Sequence, residues 1–310
     1  MVSAEKPEAW RPLYPFASHY ADIGGHRLHY LDEGTGAPVV LLHGNPTWSF
    51  YYRDLTLALC GSRRVVVPDH MGCGLSDKPQ DYPYRLATHI DNLETLLNRE
   101  LQLPRLSLVV HDWGGAIGFG YACRHPERVE RIVVLNSAAF LLARCPLRIR
   151  LCRTPVLGAL LVRGGNAFAR GALAMATTDR RRFTGPVRAG YLAPYDSYAH
   201  RIATLRFVQD IPLRPTHPSW KTVAAIQAQL GLLRHTPMMI CWGDRDFCFT
   251  GEFLRVWQAH FPDARVHRFP AAGHYVLEDA GESIIPLATE FLTGTAAQRE
   301  ARTPDEGARD

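Results

Sequence analysis

The sequence predicts an α/β fold in which a mostly parallel sheet carries helices on both faces and an inserted helical cap covers one edge. Short aliphatic runs, typical of buried parallel strands, alternate with segments of helical pattern. This alternation stops after residue 139 and resumes near residue 217, which indicates an insertion. The predicted strands are 38–42, 64–68, 106–112, 129–135, 237–242 and 264–269.

The elements that surround these strands follow in order along the chain. Residues 19–22 and 27–32 alternate in polarity around Gly24-Gly25 and predict an antiparallel hairpin at the sheet edge. A helix through Tyr51, Tyr52 and Leu55 follows the first parallel strand, and a helix over 86–98 precedes the strand that ends at Asp112.

The pattern divides the chain into four parts. Residues 1–139 and 217–295 form the two halves of one α/β core, and residues 140–216 form the helical cap. Residues 296–310 are polar and predict a disordered tail. Because ligands of such sheets bind beyond the carboxyl ends of the strands, the cap would cover the site.

The strand at 106–112 and the Gly-rich helix after it predict a nucleophile elbow with Asp112 at its tip and Gly114 two residues on. A carboxylate is ionised near neutral pH and needs no base to attack carbon. The ester formed could then be hydrolysed by a His-activated water. Asp112 is equally typical of a helix N-cap, so its partners must decide between the two interpretations.

Two later strands end in suitable partners. Asp246 follows the strand at 237–242, and His274 follows the strand at 264–269. The order Asp112, Asp246, His274 is the order of nucleophile, acid and base in α/β-hydrolases. His274 would activate water, and Asp246 would fix its tautomer. Asp244 is an alternative acid, and a lone His is often only a hydrogen-bonded core residue; the Gly-x-x-Asp spacing favours Asp246.

Three motifs resemble the haloalkane dehalogenase branch of the α/β-hydrolases: residues 43–48, 68–79 and 110–115. In that family an Asn and a Trp donate hydrogen bonds to the departing halide, and the matching residues are Asn45 and Trp113. Two neutral donors beside the nucleophile can stabilise a developing negative charge. The alternative roles are a turn residue before Pro46 for Asn45 and a packed core aromatic for Trp113.

Further segments resemble the β-lactone decarboxylases of bacterial long-chain olefin biosynthesis, which act on cis-3-alkyl-4-alkyloxetan-2-ones. These segments are 51–53, 69–77, 136–140, 194–197, 206–213, 217–219 and 272–279. The resemblance implies ring opening by Asp112, with Asn45 and Trp113 receiving the oxyanion, and collapse to a cis-olefin with loss of carbon dioxide or bicarbonate; it leaves open which ring carbon is attacked. It also implies a β-lactone synthetase and a reductase as pathway partners.

Alternative functions remain. Hydrolytic dehalogenation of haloalkanes would use the same catalytic residues. Epoxide hydrolysis is weaker, because the Asn45 turn does not match that family although Tyr191, Tyr195 and Tyr198 could protonate an epoxide. A non-catalytic scaffold is the third class.

Arg53 could contact the substrate carboxyl group, but an exposed arginine with a solvated guanidinium group is the more ordinary role.

The cap is rich in arginine, with Leu, Ile and Val interleaved from 144 to 188. Such a surface could contact membrane headgroups or an acidic partner. The simpler interpretation is an apolar face that lines an acyl pocket beneath solvated arginines, and both can hold together.

Composition limits the remaining possibilities. The net charge of +5 is mild, and no basic stretch is interleaved with aromatic residues, which argues against nucleic acid. Residues 1–16 lack an apolar signal core and no run reaches membrane-spanning length, so we expect a cytoplasmic protein. Seven scattered cysteines predict reduced thiols, and no metal site or cofactor motif is recognisable.

Overall fold

The computed structural model describes residues 8–294. Its strands form one eight-stranded sheet in the order β1-β2-β4-β3-β5-β6-β7-β8. β1 and β2 pair antiparallel at one edge, and β3 to β8 run parallel. The strands are β1 (His19–Ile23), β2 (His26–Glu33), β3 (Pro38–Leu42), β4 (Arg64–Pro68), β5 (Leu106–Asp112), β6 (Val129–Ser137), β7 (Met238–Gly243) and β8 (Arg265–Phe269).

Helices cover both faces of this sheet. They are α1 (Arg53–Leu59), α2 (Leu86–Glu94), α3 (Trp113–Arg124), α4 (Leu147–Cys152), α5 (Pro155–Gly158), α6 (Ala167–Met175), α7 (Gly185–Leu192), α8 (Ile202–Gln209), α9 (Trp220–Gln229), α10 (Gly251–His260) and α11 (Val276–Thr293). Shorter 3-10 segments include Ser49–Tyr52, before α1, and Leu230–Leu233, after α9. π-Helical turns follow α2 (Thr95–Glu100) and α5 (Ala159–Gly164).

The sheet lies between two apolar clusters because its central strands are buried on both faces. In β5, Leu108 and Val110 belong to one cluster and Val109 to the other, and every residue of the strand is buried. Alternation of side chains across the sheet produces this division. The carboxyl ends of β3, β5, β6 and β7 therefore meet at one edge on a rigid base.

The predicted fold class is confirmed, and so are the edge hairpin and the six strands. The last of these, β8, lies at the other edge of the sheet, where its residues are exposed or half-buried. The helix predicted over 86–98 is observed as α2 continued by a π-helical turn to Glu100. Between β6 and β7 the chain forms only helices and turns, from α4 to α9, and we call the part before residue 217 the cap.

The domain boundaries themselves stay a prediction, and the tail predicted over 296–310 lies outside the described residues. Within residues 8–294 no helix is both long and apolar enough to cross a membrane. The seven cysteines are free thiols.

Candidate active site

Asp112 lies at a strained turn between β5 and α3. Its φ of +52° and ψ of −123° fall where residues with a Cβ rarely lie. The side chain does not cap α3, so the capping alternative does not describe it. Glycine is required nearby: a Cβ on Gly44 would overlap the Asp112 carboxyl, and one on Gly114 would overlap the Leu42 carbonyl oxygen. The turn thus presents the carboxylate at the sheet edge, as a nucleophile elbow does.

The two oxygens of the Asp112 carboxylate have different partners. Oδ1 accepts a hydrogen bond from the Asn45 backbone N–H over 2.7 Å, and the Trp113 backbone N–H also donates to the carboxyl group. Oδ2 lies 3.7 Å from His274 Nε2. Backbone N–H donors are the usual components of an oxyanion hole. Oδ2 is consequently the oxygen that faces the imidazole.

His274 is held between two carboxylates. Its Nδ1 lies 2.8 Å from Asp246 Oδ2, and the rings and carboxylates concerned are nearly all buried. The alternative acid, Asp244, lies elsewhere and pairs with Arg268 at the surface. The structure therefore places His274 between Asp112 and Asp246, as is expected of a base between its nucleophile and its orienting acid.

Burial and neighbouring charges set the protonation of this group. Burial lowers the pKa of His274, but Asp246, through charge and a hydrogen bond, and Asp112 outweigh it and raise the pKa above the ordinary histidine value. Burial raises the pKa of Asp112, while His274 and the two backbone N–H groups act in the opposite direction. A desolvated carboxylate is a stronger nucleophile than a hydrated one, since it loses little solvation on attack.

The side chains of Asn45 and Trp113 border the same space. Asn45 Nδ2 donates to the Thr204 carbonyl oxygen in α8 over 3.1 Å, which orients the amide, and its second N–H hydrogen remains. Trp113 packs against Phe207, with ring centroids 5.3 Å apart. Both residues line the cavity that contains Asp112 and His274.

This cavity is mostly apolar and extends from the sheet edge into the cap. Apart from the residues above, its lining side chains are mainly aliphatic and aromatic: Ala116, Ala138, Phe140, Leu141, Leu142, Ile149, Phe168, Ala172, Val208, Ile211, Pro212, Val223, Phe247, Phe249, Phe253 and Tyr275. A few polar groups in an apolar cavity are typical of a site for a lipophilic small molecule. No group of His, Cys, Asp and Glu within 8–294 could hold a metal ion.

Residues 37–281 match the family model of the alpha/beta hydrolase fold. The chain is 48% identical over 288 residues to a protein of Shewanella oneidensis named cis-3-alkyl-4-alkyloxetan-2-one decarboxylase; the match covers 91% of this chain and 90% of the relative. A protein of Xanthomonas campestris with the same name is 41% identical over 91% of this chain and 97% of its own length. This chain belongs to that decarboxylase family of α/β-hydrolases.

The solved structures place the fold of this family member beside the dehalogenases. A loop variant of the haloalkane dehalogenase DbeA from Bradyrhizobium elkanii superposes with a TM-score of 0.82. That match covers 93% of this chain and all of the dehalogenase at 24% sequence identity, which shows the fold alone.

Two residues of the decarboxylase-family site were not assigned a role from the sequence. Asn136, at the end of β6, donates from Nδ2 to Asp246 Oδ2 over 3.0 Å. Its amide also bridges to Gly243, accepting from the N–H and donating to the carbonyl oxygen. His111 contacts the backbone of His274. Both are polar residues at the carboxyl ends of parallel strands, where functional groups gather. This position in the sequence could have identified them as candidate site residues.

The expectation of an exposed, solvated Arg53 is wrong. Arg53 is buried and forms two hydrogen bonds with Glu278 of α11, at 2.6 and 3.0 Å. Tyr191 of the cap donates to the same carboxylate over 2.6 Å. Arg53 does not line the cavity, so this pair joins α1, α11 and the cap instead of contacting substrate.

Proposed function

We propose that this chain decarboxylates cis-3,4-dialkyl β-lactones to long-chain cis-olefins and carbon dioxide or bicarbonate. The observation that carries the proposal is the 48% and 41% identity to two curated decarboxylases over nine-tenths of the chain. The site fits this chemistry because an ionised carboxylate, two N–H donors and a paired histidine meet in an apolar cavity.

Asp112 would begin the reaction at the carbonyl carbon of the lactone. Oδ2 is the attacking atom, because the backbone N–H of Asn45 binds Oδ1. The new C–O bond turns the carbonyl oxygen into an oxyanion. The Asn45 amide and the Trp113 indole N–H stabilise this charge in a largely apolar surrounding, where such donors are most effective.

The strained ring of the tetrahedral intermediate then fragments, with two of its bonds breaking. The oxyanion re-forms its C=O bond, and the bond between this carbon and ring carbon 3 breaks. That electron pair becomes the double bond between carbons 3 and 4, while the bond from carbon 4 to the ring oxygen breaks towards oxygen. The two alkyl groups stay on one side, so the olefin is cis. Asp112 is left as a mixed anhydride with carbonic acid.

His274 would complete the cycle with water. Nε2 takes a proton from water, whose oxygen attacks Cγ of Asp112, and the backbone N–H of Asn45 stabilises the charge on Oδ1. Oδ2 leaves with the carbonate, which receives the proton from His274 as bicarbonate. The second proton of the water passes to solvent as the carboxylate is restored.

Haloalkane hydrolysis is the second candidate function, because Asn45 and Trp113 could equally stabilise a departing halide. In that case Asp112 would form an alkyl ester, and His274 would direct water to it. Both substrates are lipophilic, so the apolar lining of the cavity suits either one. The products differ, however: an olefin in one case, an alcohol and halide in the other.

A comparative turnover assay distinguishes the two. The purified protein receives either a cis-β-lactone with two long alkyl chains, with olefin measured by gas chromatography, or bromoalkanes, with halide release measured. We expect olefin formation and little halide. The variant Asp112→Ala should form no olefin, and Asp244→Ala, which removes the surface acid, should keep full activity. Rapid halide release with intact lactone would instead establish a dehalogenase.

The same proposal includes the setting in which the enzyme works. We place it in the cytoplasm, beside a β-lactone synthetase that supplies the substrate and a reductase of the same pathway. Copurification tests this association: the tagged chain is purified from cells that express all three enzymes. The inactive variant Asp112→Ala should retain the partners if association does not require catalysis.

A further inference from the structure

The cap presents an unusually apolar surface to solvent. Five side chains of α4, α5 and the π-helical turn after α5 are exposed, and we call them the cap face: Leu147, Leu151, Val156, Leu157 and Leu160. Val156 is 74%, Leu147 70% and Leu160 63% exposed. Contiguous apolar exposure on neighbouring helices marks an interaction surface, whereas scattered exposed leucines do not.

Helical geometry separates this face from the cavity. Leu147 and Leu151 lie four residues apart and share one side of α4. Ile149, between them, points to the other side, where it is buried and lines the active-site cavity. Val156 and Leu160 likewise share one side of the second segment, whereas Gly158 and Val162 are buried. The same short helices therefore wall the cavity on one side and meet solvent on the other.

The segment of the sequence that carries the cap face has charges of a single sign. From residue 140 to residue 178 the sequence contains six arginines and no acidic residue. Arg150 and Arg153, on or next to α4, form no ion pair within residues 8–294. Nη1 of Arg153 is buried without a hydrogen-bond partner in the same range. Guanidinium groups without a carboxylate partner suit phosphate oxygens.

A second, polar cavity gathers these groups beside the cap face. Arg150, Arg153, Arg214 and His217 line it, together with Cys145. Cys145 also lines the active-site cavity. The basic groups, the exposed leucines and the wall of the active site thus lie within a few residues of one another along the chain.

We propose that the cap face docks on an anionic lipid bilayer. The leucines and the valine enter the headgroup and acyl boundary, and Arg150 and Arg153 bind lipid phosphates. A bilayer fits better than an acidic protein, because residues 147–160 are mainly aliphatic and cationic and include none of the carboxylates and amides that fix the register of a protein interface. Cationic and apolar side chains on short helices are sufficient for binding to a lipid surface.

Docking in this position would deliver substrate. A β-lactone with two long alkyl chains is uncharged and partitions into lipid, and α4 separates the bilayer from the cavity by one helix. This step rests on the proposed function, whereas the docking itself rests on the charges and exposure of the cap.

Vesicle flotation of the full chain tests the docking. The probe is phosphatidylcholine vesicles with or without phosphatidylglycerol, in low and high salt. The apolar variant is Leu147→Ser/Val156→Ser/Leu160→Ser, and its control is Leu57→Ser/Leu232→Ser, which changes exposed leucines elsewhere. The charge variant is Arg150→Gln/Arg153→Gln, with Arg99→Gln/Arg234→Gln as a control of equal net charge.

We expect flotation only with the anionic vesicles, weakened by salt. The charge variant should bind about 25-fold less tightly, at about fivefold per arginine near the surface, and the apolar variant should not float. Both controls should float like the unchanged chain. Olefin formation from detergent-dispersed lactone should be normal in every variant, which separates this test from that of the reaction.

Absence of flotation, or equal loss in the control variants, would overturn the proposal. So would self-association: if sedimentation velocity without lipid shows a dimer that Leu147→Ser/Val156→Ser/Leu160→Ser disperses, a second copy of the chain covers the cap face. Circular dichroism verifies that each variant is folded.

Discussion

His111 donates its Nε2 hydrogen to the backbone carbonyl oxygen of His274 over 2.9 Å. The carbonyl can only accept, so this bond fixes the tautomer of His111. The His111 ring also lies against the His274 ring, with centroids 4.6 Å apart, and stacks on Tyr51 at 4.4 Å. The residue before the nucleophile therefore holds the main chain of the base, which makes His111 a positioning residue.

Replacing His111 with Phe should keep the ring stacking and remove this hydrogen bond. A buried carbonyl without a donor costs about 1–3 kcal/mol, and His274 shifts away from Asp112, so we expect kcat to fall at least tenfold with KM nearly unchanged. Steady-state olefin formation and urea unfolding measure the two effects. His89→Phe is the matched control, because neither ring nitrogen of that buried histidine has a partner in 8–294; an equal loss of kcat there would refute the positioning role.

The acid limb of the pH profile should report on Asp246. This carboxylate raises the pKa of His274, and the base works only when neutral, so activity declines as the pH falls through that pKa. In Asp246→Asn burial dominates and the pKa of His274 falls, which moves the acid limb to lower pH. The maximal rate should also drop, by roughly 10²–10⁴-fold, since the tautomer is no longer held.

Measurement of kcat from pH 5 to 9, a range chosen to bracket the ordinary histidine pKa of about 6.5, checks this prediction. Asp244→Asn serves as the control for loss of a nearby acid. An acid limb that stays in place, or moves to higher pH, in Asp246→Asn would show that His274 is not the titrating base.

Water should leave its oxygen on Asp112. In a single turnover in ¹⁸O-water with enzyme in excess, the proposed attack of water on Cγ places one labelled oxygen in the carboxylate. Mass spectrometry of the peptide that contains Asp112 detects it. His274→Phe should remain unlabelled. Normal olefin yield with no label in the unchanged enzyme would mean that carbon dioxide leaves directly and that no water step occurs.

The buried ion pair of Arg53 and Glu278 should be costly to break. Glu278→Gln leaves the buried guanidinium with only the exposed carboxylate of Asp54, 3.4 Å away, and weakens the bond from Tyr191, so we expect a loss of about 3–5 kcal/mol in the free energy of unfolding. Arg53→Met/Glu278→Leu removes both charges and should recover most of it. Urea denaturation of the three proteins decides; a cost below about 1 kcal/mol for Glu278→Gln would contradict the prediction.

The sequence predicted the parallel strands and the residues at their ends, because aliphatic runs bounded by turns are a local signal. Asp112, Asp246 and His274 could be found in this way. Asn136 also stands at a strand end, but its bond to Asp246 could be assigned only once β6 and β7 were known to be neighbours in the sheet. The pairing of Arg53 with Glu278 spans 225 residues and has no local signature. π-Helical turns such as Thr95–Glu100 also leave no trace in an apolar periodicity.

The two oxygens of a free carboxylate are equivalent, but those of Asp112 lie in different environments. Oδ1 accepts the hydrogen bond of the Asn45 main-chain N–H and Oδ2 faces the imidazole, so the group cannot rotate without losing that bond. Each catalytic cycle would therefore renew the same oxygen and leave the other untouched. After thousands of turnovers, an enzyme molecule would still carry at Oδ1 the atom with which the ribosome built it.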